Sequence, residues 1–169
     1  MPADSNPMDS RPADSNVRSR SYLIALAHLL CGQCGRSTRV LALAVPPGHE
    51  TADSESEDGG PWQRADAPAF LYFVTWLPDE VLQRLLPHAL YQRTHGEESS
   101  ASHWANHCEH CGSALSDEEL HCEPGVFMPG GKPEAGQIQM LTVDEAFEAA
   151  AAGYAVDPEF IQWPSTSST

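Results

Sequence analysis

Cys31-Gly32-Gln33-Cys34-Gly35 and Cys108-Glu109-His110-Cys111-Gly112 are the two stretches on which the reading of this chain turns. Each is a C-x-x-C-G knuckle, and together they offer four sulfurs, one complete tetrahedral sphere for zinc. A C-x-x-C turn brings two thiolates close enough to share one small cation. The glycine after each second cysteine lets the chain enter a left-handed conformation without a Cβ clash. Backbone N–H groups then turn toward the sulfurs and spread their charge. The spacing therefore predicts a structural zinc site built from Cys31, Cys34, Cys108 and Cys111. An iron centre takes the same four ligands. A thioredoxin-like redox pair is disfavoured by two separate knuckles with no βαβ context. Paired disulfides would need an oxidising compartment.

The 73 residues from Gly35 to His107 separate the knuckles, against roughly 15–20 in a compact zinc ribbon. Loop-closure entropy grows only as the logarithm of length, so the longer loop costs about 1.3 kcal/mol more. A structural zinc supplies on the order of 10–16 kcal/mol in small peptides. A shared metal therefore outweighs the loop, and the insert should itself be folded, because a bare loop of that length does not suit a domain.

Cys122 is a fifth cysteine beyond a filled sphere and reads as a reduced, partly buried thiol. His28, His107 and His110 flank the knuckles and are alternative ligands, since imidazole also suits zinc.

The chain has 169 residues, enough for one domain, with 24 acidic residues against nine basic and a net charge of −15. Such a surface repels a phosphate backbone, so nucleic acid is not the expected partner. Arg18, Arg20, Arg36 and Arg39 bracket the first knuckle and are read as solvated surface.

Residues 1–20 hold a repeat, Pro2-Ala3-Asp4-Ser5-Asn6 and Pro12-Ala13-Asp14-Ser15-Asn16, and read as a disordered tail. The apolar run 21–30 follows arginines and mimics an export signal. Acids in the charged segment and Leu30 before Cys31 argue against cleavage there, and the run is too short to span a bilayer. Residues 38–45 suit a strand, and 49–68 an acidic inserted loop. Phe70-Leu71-Tyr72-Phe73-Val74-Thr75-Trp76-Leu77 is the strongest strand signal, apolar on both faces. Pro78-Asp79-Glu80 opens a helix ending at Pro87. Further strands are expected at 90–93, 103–107 and 137–141. Thr142 and Glu145 form a capping box for an alanine-rich helix running to about Ala152, stopped by Gly153. Residues 164–169 read as a frayed tail.

The run Trp104-Ala105-Asn106-His107-Cys108-Glu109-His110-Cys111-Gly112, followed by His121-x-Glu123-Pro124-Gly125-Val126-Phe127 and Pro129, resembles a family of bacterial proteins of unknown function that carry paired C-x-x-C-G knuckles. Cys31 to Val40 resembles the first half of that pattern, and the likeness spans residues 21–152. The resemblance implies zinc-ribbon-like metal binding by Cys31, Cys34, Cys108 and Cys111 and no established activity. Family members often have Gly-Asp after the second knuckle, where this chain has Ser116-Asp117.

These readings add up to one α+β domain over residues 21–163. It should hold a small antiparallel sheet with zinc-ribbon-like four-cysteine knuckles and two or three short helices. A saturated sulfur sphere leaves no position for substrate, so the expected role is a non-catalytic, cytoplasmic, zinc-stabilised domain that engages another protein and no membrane. One alternative is an acidic inhibitor or immunity-type protein that masks a basic target. The other is an enzyme using the acid–base cluster Asp117, Glu118, Glu119, His121 and Glu123.

Overall fold

The computed structural model describes residues 15–52, 62–95, 102–116, 120–121, 127 and 138–155. Among them run β1 (Val17–Ser19), β2 (Tyr22–Leu30), β3 (Ser37–Val45), β4 (Glu50–Thr51), β5 (Gln63–Arg64), β6 (Ala69–Trp76), α1 (Asp79–Leu85), β7 (Leu90–His95), β8 (Ser102–His107), β9 (Gln139–Val143) and β10 (Phe147–Ala155). Of the predicted N-terminal tail, residues 1–14 lie outside the described residues. Residues 53–61 of the acidic insert and 156–169 also lie outside them.

The strands join one antiparallel ten-stranded sheet in the order β5-β4-β1-β10-β6-β3-β2-β9, with β8 pairing both β6 and β7. The expected α+β fold with a small sheet and two or three helices is thus corrected to a mostly β architecture. Only one helix, the seven-residue α1, is described along its length. The overturned element is the capped alanine helix at 142–152. Thr142 lies in β9 opposite Leu23 of β2, and Phe147 to Ala155 form a strand between β1 and β6. Alanine has the highest helix propensity, but propensity is a weak prior that burial overrides. Phe147, Ala149 and Ala151 all turn into one apolar core, the period-two pattern of a strand. Glu145, cast as the capping acid, instead forms an ion pair with Arg84 of α1.

The sheet is covered on both faces, which explains the unbroken apolar runs of its central strands. Tyr22, Ile24, Leu41, Leu43 and Val45 face one core, on which α1 packs through Val81 and Leu85. Each such buried side chain contributes about 2 kcal/mol. Leu23, Ala25, Ala27, Val40, Ala42 and Ala44 face the other core. It is closed by Phe70, Leu115, Leu120, Phe127 and Ile138, and Cys31 and Cys108 belong to it. The Tyr22 ring stacks on Phe147 at 4.7 Å, and burial raises the pKa of its hydroxyl.

Strand β6 is the hub. Its first residues pair with β3, as in Leu43 with Leu71 and Val45 with Ala69. Its later residue Val74 pairs with Trp104 of β8. Between them Phe73 takes a φ of +47°, and the register against β10 shifts between Ala150 and Ala152. This β-bulge turns the strand away from β3 and toward β8. The β7–β8 hairpin is thereby delivered beside the free half of β3, where the four knuckle cysteines meet.

Candidate metal centre

Both knuckles are tips of antiparallel hairpins. The first closes β2 onto β3 after the pair Leu30 with Ser37. The second follows β8 and folds back through a bridge between His107 and Ala114. The two tips repeat one hydrogen-bond scheme. Cys31 N–H donates to Arg36 O at 2.9 Å and Gly35 N–H to Cys31 O at 2.8 Å. At the matching positions Cys108 N–H donates to Ser113 O at 2.8 Å and Gly112 N–H to Cys108 O at 2.9 Å. The glycine φ angles are +72° at Gly35 and +77° at Gly112, the left-handed geometry that side chains with a Cβ resist. Gln33 N–H points at Cys31 Sγ and His110 N–H at Cys108 Sγ, each at 3.4 Å.

The sequence-predicted ligands converge. Sγ of Cys31, Cys34, Cys108 and Cys111 all lie within 4.8 Å of one another. Cys31 and Cys111 approach to 3.6 Å, as do Cys34 and Cys108. A tetrahedral zinc with Zn–S bonds of about 2.3 Å requires sulfur separations of about 3.8 Å, so the donor set fits the ion in number, type and spacing. Cys31 and Cys108 are buried, while Cys34 and Cys111 face solvent.

The thiols also perturb one another as a cluster of like groups should. The Ser113 hydroxyl, 3.1 Å away, and the Ser113 N–H hold Cys111 down at about 6. The Cys111 N–H, with that of His110, lowers Cys108. The Arg36 N–H pulls Cys34 down as well, but desolvation and the crowding by Cys108, Cys31 and Cys111 outweigh it, pushing that thiol up to about 11. Four thiols this close cannot all ionise side by side without a cation. A dication removes that conflict.

The second tip is fastened to β3 by side chains that take the place of a neighbouring strand. Residues 37, 39 and 41 share the parity of Leu43 and Val45, which pair with β6. At Leu41 both backbone groups go to the buried Asn106 amide: Leu41 N–H donates to Oδ1 at 2.8 Å, and Nδ2 donates to Leu41 O at 2.9 Å. At Arg39 the N–H donates to Glu109 Oε2 at 3.1 Å, and the guanidinium donates to Glu109 Oε1 at 2.6 and 2.9 Å. That partner lowers the Glu109 pKa. At Ser37 the carbonyl accepts from His110 Nε2 at 3.0 Å. Thr38 Oγ1 accepts from Glu109 N–H at 3.0 Å. Asn106, Ser113, Thr38 and the Arg39–Glu109 pair were not singled out for this role by the sequence.

The alternative ligands do not join the four sulfurs. His110 is engaged by Ser37, and His107 Nδ1 donates to Ala105 O at 3.0 Å. His28 is exposed on β2, opposite Arg39. Cys122 lies outside the described residues, as do Asp117, Glu118, Glu119 and Glu123 of the acid–base cluster. His121 is described. It is buried against Phe127, Tyr72 and Phe70, at ring separations of 5.4, 5.7 and 6.3 Å. Desolvation lowers its pKa to about 4, so it sits there as a neutral ring.

No known protein family, no characterised protein and no solved structure matches this chain. The zinc-ribbon-like character of the knuckles therefore rests on the four cysteines and their geometry. Among the described residues no helix is long and apolar enough to cross a membrane.

Proposed function

We propose that this chain is a zinc protein in which one structural ion, held by Cys31, Cys34, Cys108 and Cys111, staples two hairpin tips, and in which the stapled body binds another protein. The observation that carries the reading is the convergence of four sulfurs to within 4.8 Å from tips far apart in sequence. Zinc suits an all-thiolate tetrahedral set, and four protein ligands leave the ion no open position for water or substrate. That favours a structural over a catalytic metal. The net charge of −15 favours a partner with a basic surface, recruited by electrostatic steering.

Elemental analysis of protein purified under reducing conditions tests the metal. The expected result is one zinc per chain, lost in a variant with Cys31→Ser and Cys108→Ser. Iron in place of zinc, or no metal, overturns it. Affinity capture from the native cell extract at low and high salt tests the partner. The expected result is a stoichiometric basic protein released by salt.

A further inference from the structure

Two of the sulfur pairs meet directly across the knuckles. Cys31 with Cys111, and Cys34 with Cys108, are each separated by 3.6 Å. Both pairs run between the knuckles, and each joins a buried sulfur to an exposed one. Exposure beside a resolving thiol is the arrangement of a redox-responsive cysteine. We infer that the centre is a peroxide-responsive zinc switch, which exchanges its ion for two disulfides, Cys31–Cys111 and Cys34–Cys108. The inference rests on the zinc reading proposed above.

The chemistry balances with a hydroperoxide as the oxidant. An exposed thiolate attacks the O–O bond of hydrogen peroxide, takes one oxygen to become a sulfenic acid, and releases water after uptake of one proton. The thiolate across the knuckles then attacks that sulfur. The S–S bond forms, the S–O bond breaks, and the oxygen leaves as a second water with another proton. Two such cycles oxidise four thiolates, reduce two peroxides and consume four protons. With no thiolate left, zinc has no ligands and departs.

The two direct contacts between the knuckles set the pairing. Within each knuckle there is also one buried and one exposed cysteine, so exposure alone does not choose. A disulfide needs the sulfurs at about 2.05 Å, so each 3.6 Å pair must close by roughly 1.5 Å, shared between two tips. Both tips lie at the open surface. A Cβ built on Gly32, Gly35 or Gly112 would meet nothing within 4 Å. The bonds formed also join the same two tips that the ion joined. The Asn106–Leu41 and Glu109–Arg39 contacts are then kept, and the oxidised protein stays folded and ready to be reduced. Bonds within each knuckle would instead leave the tips untied.

The test uses zinc-loaded full-length protein carrying Cys122→Ser, so that the fifth thiol takes no part. Hydrogen peroxide is added stepwise while a chromophoric chelator reports zinc. The expected result is one zinc released for two peroxides consumed. Digestion with trypsin without reduction should then show the peptide bearing Cys31 and Cys34 joined to the one bearing Cys108 and Cys111. A Cys31→Ser, Cys111→Ser variant should still form a single Cys34–Cys108 bond. Dithiothreitol should restore zinc uptake. Bonds within each knuckle, sulfinic acids in their place, or zinc retained through excess peroxide overturn the switch and leave the zinc reading standing. Reduced protein that binds no zinc at all removes both. Circular dichroism supplies a second measurement: oxidised, zinc-free protein should melt above the reduced, chelator-stripped protein, and the reverse order overturns the claim that the tips stay tied.

Discussion

Asn106→Ala deletes the amide that satisfies Leu41, and its effect can be worked from two contacts. The wild-type side chain is 1% exposed and holds Leu41 N–H at 2.8 Å and Leu41 O at 2.9 Å. Alanine reaches neither group and leaves a small void. Each buried polar group left unpaired costs about 1–3 kcal/mol, so the loss should be about 3 kcal/mol. The same contacts set the approach of the second knuckle to the first, so part of the loss should appear in zinc binding. Each 1.4 kcal/mol spent on bringing the tips together weakens apparent affinity about tenfold. Urea unfolding with saturating zinc and with chelator measures the first quantity. Competition with a chromophoric chelator measures the second. Asn106→Asp sharpens the test. Its carboxylate can accept from Leu41 N–H but meets the Leu41 carbonyl with a second acceptor, so it should lose stability at neutral pH. Glu50→Ala, at an exposed ion pair on β4, is the control and should move stability by no more than about 0.5 kcal/mol. If Asn106→Ala stays within about the same 0.5 kcal/mol and binds zinc within about twofold of wild type, the amide does not fasten the second tip.

Removing the metal should be costly. Chelation, or Cys108→Ser, should lower the midpoint of urea unfolding by more than any single core substitution, and zinc but not magnesium should restore the wild-type protein. Acid should act through His121. Its folded pKa of about 4 lies below the ordinary 6.5, so the unfolded chain binds the extra proton. Stability is then full above pH 6.5 and falls between 6.5 and 4, by about 3 kcal/mol when complete. His121→Phe should flatten that part of the profile relative to wild type, and an unchanged slope would remove His121 as the cause. At the bulge, Phe73→Gly should be neutral or stabilising, because a φ of +47° costs a side chain with a Cβ about 1–2 kcal/mol. Tyr72→Gly, on the same strand, should destabilise. Thermal melts of the two variants decide between them.

The four-cysteine cluster was legible because coordination chemistry is local in type: two C-x-x-C-G stretches state donor number, donor softness and turn geometry with no knowledge of the fold. The strands at 38–45 and 70–77 were legible for a similar reason, since β-branched and aromatic runs suit a pleated, buried surface. The segment 142–152 was not. Its capping box and alanines speak for a helix when read alone, and only the place waiting between β1 and β6 makes it β10. The clamp at Asn106 was hidden for the same reason, because its partner Leu41 is 65 positions away. What the chain determined by itself was which atoms can hold an ion. What the tertiary structure decided was that β6 bends at Phe73 and brings β8 beside β3, because only long-range pairing can carry two tips so far apart in sequence until their four sulfurs lie within 4.8 Å of one another.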